Sequence, residues 1–315
     1  MHGQHAVQRY SPVSTKNTLC NHASVFQPLV QVYLLLGVGA AYGALRKPGE
    51  SEVAFTERLL LDILLPAVIL SSIRERLFST GDPSALALTL LGAATSSLVL
   101  SAALAARLSR EEALTAMYAN TGYIPLGIAH ALWGGAGASA VGFYVAGNNL
   151  ASNLLAPMAL GGHSSREGLK RAALFPPLYG LLVGVALGLT RLPLPVWLES
   201  FLGSLASAAA PLALMVVGVE FGRSWAGFDL RDLKPYILRL LIAVPLAASL
   251  VLLGAFKSVD AKVALLESVM PSAASCVPVA RKLSLDAAKV SRVVFATTLV
   301  STTLLAPLVL ILLGS

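Results

Sequence analysis

Two long apolar stretches of the sequence are each interrupted by small polar residues, proline and glycine. The interrupting residues are Asn120, Thr121, Gly122, Pro125 and Gly127 in the first stretch and Pro271, Ser272, Ser275 and Pro278 in the second. Proline lacks a backbone N–H and clashes with the preceding turn, and glycine weakens a helix, so both helices are predicted to open. Two matched breaks favour a binding site, because half-helices aim their N-terminal dipoles at an anion. The alternative is two ordinary kinks.

Ionisable residues inside apolar stretches are candidates for binding a proton or a metal cation that drives transport. Asp62 lies four residues before Pro66, close enough to bond to backbone that the proline frees, and Glu267 lies nearer the predicted end of its stretch. Burying a carboxylate at the centre of a membrane helix costs about 2.5–3.5 kcal/mol, so such a group is expected to face the protein interior. The alternative is a position near water. Arg239 is expected to extend to the lipid headgroups.

A further polar group, Asn148 with Asn149 and Asn153, falls within another apolar stretch. One of these amides can reach a cavity and support the site. The alternative, which we weight more heavily, is hydrogen bonding from helix to helix.

The composition identifies the setting of these residues. Of 315 residues, 56% are hydrophobic and 12% are charged, against about 25% charged in soluble domains. Apolar runs long enough to cross a bilayer recur along the chain. The chain is therefore predicted to be an all-α integral membrane protein. Its ten predicted spans are 26–45, 55–73, 84–106, 112–132, 136–160, 173–190, 198–222, 235–255, 261–281 and 288–313.

The ten spans divide into two sets of five. We predict a disordered tail over 1–25, a first repeat over 26–160, a connecting loop over 161–172 and a second repeat over 173–315. The broken spans are the fourth of each repeat, and Pro66 and Pro211 take matching places in the second spans. Because five is odd, the second repeat must cross the membrane in the opposite sense.

The distribution of charge predicts how the chain is oriented in the membrane, and the residue types argue against several classes of function. Sixteen of the 23 Lys and Arg lie on one side of the predicted spans, which places the 161–172 loop in the cytoplasm and both termini outside. The net charge of +7 therefore reports topology, and nucleic-acid binding is not expected. The two cysteines provide no disulfide framework. No metal-binding or catalytic constellation of His and acidic residues occurs, so neither a cofactor nor an intramembrane enzyme is expected.

Four stretches resemble the auxin efflux carrier family, which includes plant PIN carriers and prokaryotic malonate permeases. These stretches are LLLDILLPAVILSSI (59–73), ANTGYIPLGIAHALWG (119–134), AAAPLALMVVGVEF (208–221) and SVMPSAASCVPVARKLSLDAAKVSRVVFATTLVS (268–301). The resemblance implies two inverted five-helix repeats, as in sodium/proton antiporters and bile-acid symporters, with spans four and nine crossing beside the substrate. It also implies that Asn120 is the crossover asparagine. Pro125 and Gly127 stand in exchanged order relative to the family pattern, and Pro278 matches no usual family proline.

The favoured hypothesis is a plasma-membrane secondary transporter for a small organic anion, most simply a carboxylate. The breaks carry an Asn but no strong buried cation for phosphate or sulfate. A sodium- or proton-coupled carrier of another solute is the alternative, and a non-transporting receptor is a more distant one. The expected partners are the anion, membrane lipid and, by the resemblance, a second copy of the chain.

Overall fold

Helices and turns make up the computed structural model, which describes residues 17–80, 86–160, 174, 176–223, 229–256 and 258–313. In this part of the chain the only β-type pairing is one isolated antiparallel bridge. The α-helices are α1 (Asn17–Arg46), α2 (Glu50–Leu59), α3 (Leu65–Thr80), α4 (Leu86–Ala105), α5 (Arg110–Met117), α6 (Tyr123–Leu160), α7 (Pro176–Thr190), α8 (Val196–Arg223), α9 (Lys234–Leu252), α10 (Ser258–Ser268), α11 (Cys276–Lys282), α12 (Ala287–Val300) and α13 (Ala306–Leu312).

Three short segments join some of these helices directly. A π-helical turn, Leu60–Leu64, links α2 to α3, another, Ser301–Leu305, links α12 to α13, and a 3-10 turn, Leu230–Leu233, precedes α9. The predicted tail extends to residue 25, whereas α1 begins at Asn17; residues 1–16 and the predicted 161–172 loop lie outside the described residues.

The described helices have the length and composition that a membrane requires. Five stretches are long and apolar enough to cross a bilayer, and two apolar helices are shorter, Val30–Arg46 and Pro176–Thr190. The five are Leu86–Ala105, Tyr123–Leu160, Val196–Arg223, Leu230–Leu252 and Ala287–Leu312. Large apolar side chains such as Leu45, Val196 and Leu252 are more than four-fifths exposed, which suits contact with lipid. The predicted all-helical membrane protein is thus supported.

Glycines allow the helix backbones to pack closely. α1 lies along α8, and a Cβ on Gly39 would collide with the Met215 carbonyl group. α3 lies along α7, where a Cβ on Gly180 would meet the Pro66 carbonyl oxygen. Small residues at such contacts let helices associate through van der Waals packing, since hydrocarbon gives no hydrophobic drive between them.

The two stretches predicted to be interrupted are interrupted. Helix α5 ends at Met117 and α6 begins at Tyr123, and α10 ends at Ser268 and α11 begins at Cys276. A separate kink divides α6 at Gly134, whose φ of 57° and ψ of −142° are non-helical. Positive φ values cost glycine little, which explains a glycine at this bend.

A buried ion pair joins α3 to the start of α10. Two nitrogens of the Arg76 guanidinium lie 2.6 and 2.5 Å from the two carboxylate oxygens of Asp260, whose side chain is 3% exposed. An exposed pair on the same helix offers a comparison, since Arg74 lies 3.0 Å from Glu199, which is 47% exposed.

We expect Asp260→Ala to lower the free energy of unfolding by about 3–5 kcal/mol, because it removes the buried carboxylate that binds two nitrogens of the Arg76 guanidinium. Glu199→Ala, the matched control, is expected to cost about 1 kcal/mol or less. Denaturant unfolding of purified protein in mild detergent measures both. Equal losses for the two variants would contradict a structural role for the Arg76–Asp260 pair.

Candidate functional site

The two interrupted segments, 118–122 and 269–275, cross and pair through their backbones. The Asn120 N–H donates to the Pro271 carbonyl over 2.7 Å, and the Ala273 N–H donates to the Tyr118 carbonyl over 2.9 Å. These bonds form the antiparallel bridge between Ala119 and Ser272. We call this arrangement the crossover. Each segment supplies the hydrogen bonds that the other lost when its helix ended.

The last four carbonyl groups of α5 each accept a hydrogen bond, one from a backbone N–H and three from side chains of other segments. The Leu114 carbonyl accepts from the Tyr118 N–H over 3.1 Å, and the Thr115 carbonyl accepts from the Ser272 hydroxyl over 2.8 Å. The Ala116 carbonyl accepts from Arg239 Nη1 over 3.4 Å, and the Met117 carbonyl from the Ser96 hydroxyl over 3.3 Å. A helix end buried in this way is stable only with such partners.

Asn120 also starts the next helix. Its Oδ1 atom accepts from the backbone N–H groups of Tyr123 and Ile124, over 3.1 and 3.4 Å, which caps α6. Pro125 lies three residues into α6, within the first turn, where a missing N–H costs nothing. The break therefore lies at the Asn120–Gly122 end of the predicted interruption and precedes Pro125.

The other predicted residues of the first stretch differ in their surroundings. Thr121 is buried in the crossover, and its hydroxyl has no hydrogen-bond partner among the described residues. Gly122 ends the interrupted segment. Gly127 instead lies inside α6, where a Cβ would collide with the Leu214 side chain. Gly127 is thus a packing residue in this structure.

The predicted residues of the second stretch mostly lie in the crossover. Pro271 and Ser272 belong to the interrupted segment, and the Ser272 N–H also donates to the Thr297 hydroxyl over 3.2 Å. Ser275 precedes the first residue of α11, and Pro278 lies within that helix. The roles of these residues in binding a substrate stay predictions.

Asn148 is linked to the crossover through hydrogen bonds rather than through a cavity. Its amide donates to the Ser96 hydroxyl over 2.6 Å, and the Ser152 hydroxyl donates to the same oxygen over 3.2 Å. Ser96 in turn bonds to the Met117 carbonyl at the end of α5. Asn148 is 1% exposed, so it makes helix-to-helix contacts and lines neither of the two cavities described below.

Pro66 and Pro211 do not interrupt their helices. Pro66 follows the π-helical turn and packs against Gly180 of α7, and Pro211 is half-buried within α8. Asp62 lies in the same π-helical turn and is exposed. The expectation that Asp62 faces the protein interior is therefore wrong, and its proposed role in coupling stays a prediction without support from burial.

A cavity of about 200 Å³ touches the crossover on one side. Its polar lining includes Asn120, Thr121, Ser275 and Lys282, together with Asn149 and Asn153 from the second half of α6. The Tyr118 hydroxyl donates to Asn153 Oδ1 over 3.0 Å. No Asp or Glu occurs among the described lining residues, so the fixed charge here is the Lys282 ammonium. The start of α6 adds a positive partial charge.

A larger cavity of about 520 Å³ reaches Asn120 from another direction. Its charged lining consists of Glu50, Glu57, Glu220, Arg223 and Arg281. Arg223 binds Glu220 over 2.8 Å, and Arg281 binds Glu50 at the protein surface. The charge of this lining is mixed, in contrast to that of the smaller cavity.

The sequence missed several residues of these surfaces. Lys282 was counted among the loop charges, and Glu57, near a helix end, was not singled out. Arg239 is fully buried, so both its expected contact with headgroups and the expected lack of a strong buried cation are wrong. The sequence around Arg239, near the start of α9, did not indicate that its side chain would be buried. Over the described residues, no group of three or more His, Cys, Asp or Glu could hold a metal ion.

Comparison with known proteins defines the class. Residues 162–309 match the family model described as membrane transport protein. The chain is also 28% identical over 286 residues to an uncharacterized transporter from Methanothermobacter thermautotrophicus, and the match covers 87% of this chain and 94% of that relative. The protein is a membrane transporter and not an enzyme. These matches bear out the resemblance to the auxin efflux carrier family that the sequence indicated.

We expect Asn120→Ala to lower the free energy of unfolding by about 0.5–2 kcal/mol, because α6 loses its cap. Asn120→Asp retains an oxygen acceptor at the cap and is expected to unfold like the wild type. Denaturant unfolding in detergent measures both, with Asn149→Ala as the control, since Asn149 donates only to the Val145 carbonyl of its own helix. An Asn120→Ala protein as stable as the wild type would show that Asn120 does not cap α6.

Proposed function

We propose that the protein is a secondary active transporter of a small organic anion, most simply a carboxylate, and that the anion binds at the crossover. The observation that carries this proposal is the cavity of about 200 Å³ beside Asn120, which contains Lys282 and no described acidic residue. Transport proceeds by alternating access, in which the cavity opens to one side of the membrane and then to the other.

The groups around this cavity suit an anion. The Asn120 Oδ1 atom is occupied by the α6 cap, and the Nδ2 donor has no acceptor among the described residues. Lys282 supplies a full positive charge, and the α6 N-terminus contributes roughly half a charge. Anions bind readily at helix N-termini because backbone N–H groups point at them.

Cavity size limits the substrate. Pockets for drug-sized ligands have volumes of about 300–1,000 Å³, so the space here fits a smaller solute. A mono- or dicarboxylate of few carbon atoms meets this limit. Most of the remaining lining is apolar or amide, which would accept a short hydrocarbon stem between carboxylate groups.

We further propose that ten spans form two inverted five-helix repeats. In this scheme α1 and α3 are the first and second spans of one repeat, and α7 and α8 are the first and second spans of the other. The first span of each repeat packs against the second span of the other, since α1 packs on α8 and α3 packs on α7, and this symmetry supports the proposal. The positions of the two interrupted helices, fourth in each repeat, also support it.

Orientation follows from the charge rule. The larger cavity ends near Glu50 and Arg281, on the side that carries most of the Lys and Arg. We therefore expect this cavity to face the cytoplasm of a plasma-membrane protein and both termini to face outward. Lipid is expected along the exposed apolar faces, and a homodimer remains an expectation from the family resemblance alone.

One observation favours a coupled carrier as the second candidate. Glu57 and Glu220 both line the larger cavity with Asn120, so two carboxylates lie on a path toward the crossover. Such groups could bind a proton or sodium ion during transport. This alternative shares the crossover site and differs in what drives the movement.

The test is uptake of mono- and dicarboxylates, including malonate, by purified protein in proteoliposomes. We expect saturable uptake, weakened roughly 10- to 100-fold in apparent affinity by Lys282→Gln, which is about 1.5–3 kcal/mol for a bond to a charged group. Asn120→Asp is expected to weaken it at least as much, because a carboxylate would repel the anion while the α6 cap is kept.

Glu199→Gln serves as the control, since Glu199 lies in an exposed ion pair away from both cavities. Absence of uptake for every acid, in protein shown to be folded, would overturn the anion assignment. Uptake that Lys282→Gln and Asn120→Asp leave unchanged would instead place the site elsewhere.

A further inference from the structure

Two charged residues lie fully buried beside the crossover, outside both cavities. Arg239 of α9 and Glu267 of α10 are each 0% exposed. Among the described residues, neither carboxylate oxygen of Glu267 has a hydrogen-bond partner, and neither do the Nε and Nη2 atoms of Arg239. The two groups interact electrostatically but form no ion pair within 4.0 Å. Within the described part of the chain, Glu267 is therefore a buried acid whose carboxylate accepts no hydrogen bond.

The surroundings of Glu267 provide few other charges. Helix α6 contributes Tyr144, which lies next to Arg239 and to Thr95 of α4, and α9 contributes Arg239 and Tyr236. Helices α4 and α13, which also pack on α10, carry no titratable side chain. On α10 itself, Asp260 is held by Arg76 at the other end of the helix.

Lys262, the remaining charge of α10, lies over the Trp133 ring at 5.9 Å. Arg239 is thus the one cation among the described residues that faces Glu267. An ionised carboxylate in such a place is costly, since burial without hydrogen bonds disfavours charge, and a single cation that makes no direct contact offsets this only partly.

The pair is connected to both halves of the crossover. Arg239 Nη1 donates to the Ala116 carbonyl, four residues before Asn120, and Glu267 lies four residues before Pro271. Asn120 and Pro271 are the residues that share a crossover hydrogen bond. Four residues span at most about 14 Å, and a buried charge is little screened, so a charge on Glu267 is expected to influence an anion beside Asn120.

We propose that Glu267 is a proton-binding site of this transporter and that Arg239 is its counter-charge, a proposal that rests on the proposed anion transport. Binding converts the carboxylate and one proton from water into a neutral carboxylic acid, while Arg239 stays charged. An anion at the crossover repels the carboxylate and so favours the bound proton. By reciprocity the proton favours the anion, which makes the two solutes travel in the same direction.

Infrared spectroscopy tests the proton site without a substrate. We expect purified wild-type protein at neutral pH to show the carbonyl-stretching band of a buried carboxylic acid, which Glu267→Gln removes and Glu199→Gln retains. Arg239→Gln is expected to move the loss of this band to higher pH, and Arg239→Lys to move it less. A folded Glu267→Gln protein with an unchanged spectrum would overturn the proton site, and an unchanged titration in Arg239→Gln would overturn the role of Arg239.

Uptake of malonate tests the coupling. An inwardly directed proton flux is expected to stimulate uptake several-fold in the wild type and to leave Glu267→Gln, which mimics the protonated acid, without stimulation. Equal stimulation of both proteins would overturn the coupling. If no acid is taken up at all, the proposed transport function fails, while the infrared result still decides whether Glu267 binds a proton.

Discussion

Two backbone hydrogen bonds at the crossover, from Asn120 to Pro271 and from Ala273 to Tyr118, connect helices that could not end where they do without them. In hydrocarbon an unpaired N–H or C=O group costs several kcal/mol, so an interrupted helix is tolerated only where protein replaces the lost bonds. The interruption of α5 and α6 therefore depends on that of α10 and α11. Serine, tyrosine and arginine side chains from neighbouring helices satisfy carbonyl groups that remain, as Ser96, Tyr236 and Arg239 show.

This constraint explains where the charges of the site lie. Each interrupted segment frees a little space and several polar groups, and the smaller cavity forms beside them with Lys282 at its edge. Arg239 and Glu267 are fully buried and do not line this cavity, and Arg239 donates to the Ala116 carbonyl at the end of α5. The proposed substrate site and the buried charges thus contact the same short segments of chain, which is the physical basis for the coupling that we propose.

The sequence predicted the helical membrane class and the two interruptions because apolar length and clusters of Pro, Gly and small polar residues are local signals. Of the residues predicted for the first interruption, Asn120 lies in the break and caps α6, whereas Pro125 and Gly127 lie inside α6. The sequence misjudged Asp62 and Arg239. Burial of a charged side chain depends on which helix face meets a neighbour, and that is decided by packing between segments far apart in sequence.

Local sequence patterns could not predict which distant residues line the same cavity. Lys282 and Asn153 line one cavity although they lie far apart in the sequence, and no spacing in the sequence relates them. Glu57 and Glu220 come together in the larger cavity for the same reason. The residues of the crossover itself were predictable from sequence, whereas the charges around it were not.

The most direct test of the central claim is an experimental structure of the protein with the carboxylate that gives the largest uptake signal. The account predicts density for the acid in the cavity beside Asn120, with a carboxylate group near Lys282. Density for the acid in the larger cavity between Glu57 and Glu220, or at a site away from the crossover, would contradict it.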